Sequence, residues 1–237
     1  MCTISLAPLS IHKKSFVLTS NRDEAVVRET LPPEFEKIEG STLLMPKDKK
    51  AGGTWIGGST QKRVVCLMNG EFEPHQRNEP YRLSRGIIVK DILAAIDGLS
   101  AIEKYDLNGV EAFTLIMADW KNELKFFELV WDEKIKHIKQ LELKPHIWSS
   151  SPLYSEEVKK GREEWFAEIR DSLNPENILD FHHNAGTGDK EQDLVMDRGF
   201  LRTQSISQIV ARPSEIHFWY RDLETSDITE KKLELLV

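Results

Sequence analysis

The chain has 237 residues, 40% of them hydrophobic and 30% charged, with a formal net charge of −7. That is enough for one large or two small domains around a buried core. The acidic balance argues against a nucleic-acid partner, since neutralising phosphates takes clustered Lys and Arg. Basic runs such as Lys47 to Lys50, with Asp48 inside, read as solvated loops. No apolar run reaches the ~20 residues of a membrane span. The stretch Ile4 to Leu9 is too short for a secretory signal and lacks its basic flank. Two cysteines, Cys2 and Cys66, make no disulfide framework, so a cytoplasmic setting with reduced thiols is expected.

In chain order, Thr3 to Ala7 and Phe16 to Ser20 read as strands joined by a polar loop over Pro8 to Lys14. A hairpin centred near Ile11 sets Cys2 opposite about Ser20, with Asn21-Arg22-Asp23-Glu24 emerging beside it. Gly53 to Gly57 and Arg63 to Leu67 flank a second turn, which places Gly53 opposite about Asn69 at one sheet end. Cys66 falls in this apolar strand and reads as an inert core residue. Leu83, Ile87, Ile88, Ile92, Leu93 and Ile96 recur at helical spacing, with Gly98 as the stop. Phe113 to Ala118, Leu124 to Trp131 and Ile135 to Leu141 read as three strands, and His146 to Ser149 as a short one. A helix is expected from Ser155 to Ser172 and another from Asn174-Pro175 to His182. A polar loop over Asn184 to Asp193 precedes two last strands, Thr203 to Ala211 and Glu215 to Arg221. Antiparallel strand runs with segregated helices indicate an α+β fold, read here as a single domain.

Chemistry concentrates at the first hairpin. A thiolate is a strong nucleophile once a base or a lowered pKa supplies it. Removal of Met1 would expose an α-amine with a reference pKa of about 7.7–8.0, able to take the Cys2 proton near neutrality. Arg22 would favour the thiolate, Asp23 would orient the amine, and Asn69 would donate to a tetrahedral oxyanion. The reaction so implied is hydrolysis of an amide, or of a thioester or ester, through an acyl-cysteine. Asn-Arg-Asp-Glu can equally form a turn with a solvated ion pair.

The start Met1-Cys2-Thr3, Asn21-Arg22-Asp23-Glu24, Gly52-Gly53-Thr54-Trp55-Ile56-Gly57, Asn69 and Ser84-Arg85-Gly86 together resemble the NRDE family, also called the transport and Golgi organisation protein 2 family. The likeness covers the first 90 residues or so by motif and the remainder by element order. That family in turn resembles the N-terminal nucleophile hydrolases, which implies a four-layer αββα sandwich. Among these, the choloylglycine and penicillin V acylase group implies Cys2 as nucleophile, Arg22 and Asp23 as its partners and Asn69 as oxyanion donor. The resemblance also implies substrate contacts near Asn21, Gly53, Trp55 and Arg85. Ser150, within Ser149-Ser150-Ser151, stands where relatives carry an asparagine, and Arg202 stands in the place of a late active-site arginine. The family is also associated with haem and acyl-CoA-type lipids, so a carrier using the same cavity is the alternative to a hydrolase.

Other features read more plainly. The Gly52 to Gly58 stretch lacks the Gly-Lys-Ser and strand-to-helix setting of a phosphate loop, so its glycines read as sites of close backbone approach. Arg85 is expected to pair with Asp23 or Glu24, or to bind a substrate carboxylate. No His, Cys and Glu set has zinc spacing, and neither a metal nor a resident cofactor is expected. Residue identity alone leaves haem ligation by His75, His146 or His183 open. The expected ligand is a small acyl substrate or a haem- or lipid-type molecule.

Overall fold

The computed structural model describes residues 2–73 and 80–236, with Cys2 described in its backbone only. The expectations for the Cys2 thiol and for His75 therefore lie outside the described residues. The elements form two antiparallel sheets. One has the order β10 (His146–Ser149), β1 (Cys2–Ser10), β2 (Ser15–Ala25), β11 (Leu201–Ala211), β12 (Glu215–Asp222), β13 (Ile228–Glu234). The other runs β3 (Thr30–Ile38), β4 (Ser41–Asp48), β5 (Ile56–Ser59), β6 (Arg63–Asn69), β7 (Phe113–Asp119), β8 (Lys125–Trp131), β9 (Lys136–Leu141).

Alternation along the strands builds the layers. Ile4, Leu6, Phe16 and Leu18 of the first sheet meet Val64, Cys66, Ile116 and Phe126 of the second in a core between the sheets. Phe16 packs edge-on against Trp120 and Phe126, with ring centroids 5.1 and 5.7 Å away. The opposite face of the second sheet, including Leu43, Val65 and Leu115, takes α1 (Arg85–Ala94) and α2 (Gly98–Lys104). The outer face of the first sheet takes α3 (Glu156–Glu168) and α4 (Pro175–Asn184). The result is the αββα sandwich.

Three expectations change. The first turn closes over Ile11–Lys14, with the Lys14 amide donating to the Ile11 carbonyl at 3.0 Å, so Cys2 pairs with Arg22 and not with Ser20. Moving the turn centre one residue along the chain shifts the partner by two. Gly98 does not stop a helix. It opens α2 behind the Asp97 cap, and a Cβ there would meet the Arg63 guanidinium at 2.3 Å. That buried guanidinium instead closes α1, donating to the carbonyls of Ile92 (2.8 Å) and Ala95 (2.6 Å). Finally, Lys47 and Asp48 belong to β4, and β3, β4 and β13 are strands that the sequence reading passes over.

The second hairpin keeps its expected register: Ile56 pairs with Cys66, and the Leu67 amide donates to the Trp55 carbonyl at 2.7 Å. Ahead of β5 the chain touches the start of α1. A Cβ on Gly53 would lie 2.5 Å from the Gly86 carbonyl carbon, and one on Gly86 would lie 2.9 Å from the Thr54 backbone. The two glycines let strand and helix backbones meet, and the Thr54 amide donates to the Gly86 carbonyl at 3.1 Å.

Candidate functional site

The end of β2 divides its side chains between two faces. Arg22 and Glu24 line a cleft of about 680 Å3, together with Asp48, Gly53, Trp55, Asn69, Tyr81, Arg85 and Glu111. Asn21 and Asp23 point the other way, toward α3 and α4.

On the cleft side Arg22 is only 4% exposed. Its Nη2 donates to Asp48 Oδ2 at 3.0 Å, and its guanidinium carbon sits 4.7 Å from the Trp55 ring centroid. Arg22 Nη1 and Trp55 Nε1 are buried donors with no hydrogen-bond partner among the described residues. Asp48 Oδ2 also accepts from Arg28 Nε at 2.6 Å, while Oδ1 accepts from the amides of Lys50 (3.1 Å) and Ala51 (2.8 Å). Burial pushes the Glu24 carboxyl up, but the charge of the chain's amino terminus, then the Ala25 amide and the charges of Arg28 and Arg22, outweigh it and hold it below its usual range. The Cys2 backbone is paired with Arg22, and Arg22 pairs on its other side with Ser205.

Asn69 lines the same cleft at the end of β6, next to Gly70, whose φ of 91° and contact with Pro152 bring the 150–152 segment alongside. Ser150 is buried beside it, its hydroxyl donating to the Asn69 carbonyl at 2.7 Å. Ser150 thus supports the Asn69 backbone. Arg85 reaches neither Asp23 nor Glu24: it pairs with Glu111 at 3.0 Å and donates to the Ala112 carbonyl at 2.9 Å, because α1 packs against the second sheet.

On the opposite face Asp23 is fully buried, accepting from Tyr154 Oη and Thr203 Oγ1, each at 2.7 Å. Burial pushes its carboxyl up, against the pull of these two bonds and the Arg162 charge. Asn21 is fully committed: its amide donates to the carbonyls of His182 (3.0 Å) and Leu194 (2.7 Å), and its oxygen accepts from His182 Nδ1. With Nδ1 carrying the proton, His182 Nε2 accepts from Ser5 Oγ at 2.7 Å. Burial lowers the His182 pKa to about 3, helped by the nearby His183 and Arg162. Asn21 therefore stands behind the sheet, outside the cleft. Arg202 is also outside it, paired with Glu224 at 3.1 Å.

Of the residues expected at the site, the structure brings Arg22, Gly53, Trp55, Asn69 and Arg85 to one cleft, with Ser150 behind it. Sequence reading missed Asp48, Arg28, Tyr154, Arg162 and His182. The apolar Leu43-Leu44-Met45 run carried a strand signal that would have found β4, though not the inward turn of Asp48 toward Arg22. Among the described residues no group of three His, Cys, Asp or Glu is placed to hold a metal ion, and no helix is long and apolar enough to cross a membrane. His146 stacks on Trp148, and His183 meets Trp219 edge-on.

The fold and the sequence have known counterparts. Over the whole chain the structure is similar to a mutant conjugated bile acid hydrolase from Clostridium perfringens, at a TM-score of 0.56 and 10% identity, covering 97% of that chain. Penicillin V acylase from Agrobacterium tumefaciens matches 97% of this chain and 85% of its own, at a TM-score of 0.60 and 10% identity. A Caenorhabditis elegans N-acylethanolamine-hydrolyzing acid amidase ortholog matches 88% and 92%, at 0.59 and 12%. Likeness at these identities establishes the N-terminal-nucleophile-hydrolase-like fold. In sequence, the mouse Transport and Golgi organization 2 homolog is 33% identical over 117 residues, 47% of this chain and 41% of that protein. The human homolog is 32% identical over 117 residues, with the same coverage. The chain thus spans about two fifths of the length of the curated relatives it matches. A model of one family matches residues 1–215, and by that match the chain belongs to the Transport and Golgi organisation 2 family.

Proposed function

We propose that the chain is a cysteine hydrolase of the N-terminal-nucleophile type, cleaving an amide or related acyl bond of a small molecule. The observation that carries this reading is the pairing of Cys2 with Arg22, a buried guanidinium fixed between Asp48 and Trp55 at the wall of a cleft that also holds Asn69. Loss of Met1 makes the Cys2 amine the base. The thiol proton passes to that amine, sulfur attacks the acyl carbon, and Asn69 donates to the oxyanion. Collapse breaks the C–N bond as the leaving nitrogen takes the proton. Water, deprotonated by the same amine, then attacks the thioester and releases the acid and the free thiol.

The test begins with the intact mass of the purified protein, expected to lack Met1. A thiol-directed acylating probe is expected to label Cys2 one-to-one and to spare Cys66, which is buried. A panel of acyl amides is expected to be turned over by the wild type and not by Cys2→Ala. Retention of Met1 together with an unlabelled Cys2 overturns the reading. Acyl-amide binding without turnover, equal in wild type and Cys2→Ala, would make the cleft a carrier site.

A further inference from the structure

The side of the first sheet facing away from the cleft carries a closed polar network around Asp23. Cys2 pairs with Arg22, so the next residue of β2, Asp23, lies one register position beyond Cys2, on the side from which the chain enters β1, and the charge of the amino terminus reaches its carboxyl. Asp23 receives one hydroxyl on each oxygen, from Tyr154 and from Thr203. Each hydroxyl is itself oriented. Thr203 Oγ1 accepts from the Met196 amide at 2.9 Å, which turns its proton toward Asp23. Tyr154 lies under Arg162, whose guanidinium carbon is 3.7 Å from the ring centroid.

Arg162 is fully buried, and each of its three guanidinium nitrogens donates a hydrogen bond. Nη1 donates to Thr3 Oγ1 at 2.6 Å, next in sequence to Cys2, and Nη2 donates to the carbonyls of Gln192 (2.7 Å) and Asp193 (2.8 Å). A buried arginine that bonds the residue beside the nucleophile and stacks on the ring of the carboxylate's donor ties both to α3.

We infer that Tyr154, Arg162 and Thr203 are positioning residues that fix Asp23 behind Cys2 and, through it, set the pH range in which the thiol reacts. This rests on the proposed hydrolase reading and names residues that the reading does not require. The charged and titratable groups around Asp23 among the described residues are Tyr154 and, stacked beyond its ring at 5.5 Å, Arg198; Arg162 from α3; and, across Arg162, the neutral His182 of α4; the charge of the chain's amino terminus acts on it as well. Burial and the Asp23 charge keep the Tyr154 phenol protonated far above its usual range, so it acts as a donor throughout.

The experiment follows the rate of Cys2 alkylation by iodoacetamide against pH in protein confirmed by mass to begin at Cys2. Tyr154→Phe keeps the ring under Arg162 and removes one donor to the carboxylate; Thr203→Val removes the other, and Thr203→Ser restores it. Loss of one donor to a charged acceptor is expected to move the acid limb of the profile upward by about one pH unit. Tyr154→Phe and Thr203→Val are expected to show this shift, with Thr203→Ser superimposing on wild type. Profiles unmoved in both deletions, with only the melting temperature lowered, assign these residues a purely structural role and overturn the inference while leaving the hydrolase reading standing. A wild-type Cys2 no more reactive than Cys66 overturns the reading and the inference together.

Discussion

The carboxylate of Asp48 serves two arginines through one oxygen and two backbone amides through the other. The two ion pairs are unequal. Arg28 is 37% exposed, so its pair is screened and contributes little. Arg22 is buried, and without Asp48 its charge would lack its closest counterion. Asp48→Asn keeps the bonds from Lys50 and Ala51 while removing the charge. It is expected to cost about 3–5 kcal/mol in denaturant unfolding, as for one broken partner of a buried pair, and to abolish Cys2 reactivity. Arg28→Gln, by the same argument, is expected to change stability by less than about 1 kcal/mol. A ΔΔG for Asp48→Asn no larger than that for Arg28→Gln would show that Arg22 is held by the Trp55 stack instead. Arg22 itself was legible in the sequence because it follows the strand that pairs back onto the one beginning at the nucleophile. Asp48 was not, since nothing local says that a carboxylate beside three lysines turns inward to meet a residue 26 positions earlier.

At the scale of elements, the cleft depends on the contact between the chain ahead of β5 and the first turn of α1. Gly53→Ala would drive a methyl into the Gly86 backbone at 2.5–2.8 Å, where no side chain can swing aside. A loss of about 1–3 kcal/mol is expected, with Asn69 and Arg85 displaced relative to each other and turnover reduced. Gly161 gives the contrasting case. It lies inside α3, and a Cβ there meets nothing within 4 Å, so Gly161→Ala is expected to stabilise the protein by about 0.5–1 kcal/mol. Melting temperatures of the two variants, moving in opposite directions, check both. Helix ends at Ser155 and Asn174 were readable from their capping residues, which accept from Val158 and Asn177 amides as such residues do. The α1–α2 junction was not, because the group that closes α1 is Arg63, carried in from a strand. Strand β3 escaped for a different reason. Pro32 and Pro33 fall at its register shift, and prolines in a run argue against a strand unless it lies at an edge, as this one does.

For the molecule as a whole, the buried polar layer behind the first sheet makes stability depend on pH. His182 has a folded pKa of about 3, against an ordinary 6.5, so its contribution is fully present above pH 6.5 and is lost as pH falls toward 3. Asp23 acts in the opposite sense: its folded pKa is raised, so its contribution is greatest below the ordinary 3.8 and declines as pH rises through the folded value. Between pH 6.5 and 4.5 His182 is expected to govern, and wild-type stability to fall on acidification. His182→Asn keeps a donor toward Asn21 but cannot be charged. It should be less stable at pH 7 and show a flatter slope to pH 4.5; parallel slopes would remove His182 as the cause. The sequence by itself determined the antiparallel strand order of the hairpins, the helices α1, α3 and α4 and the candidate nucleophile with its arginine and asparagine, because hydrophobic period, caps and turns act over a few residues. Tertiary structure alone decided which face each residue of the Asn21-Arg22-Asp23-Glu24 run serves and what holds it there. The partners Asp48, Tyr154, Arg162, His182 and Thr203 come from other strands, other helices and the turn before α3, and they meet only when burial of both sheet faces fixes the layers together.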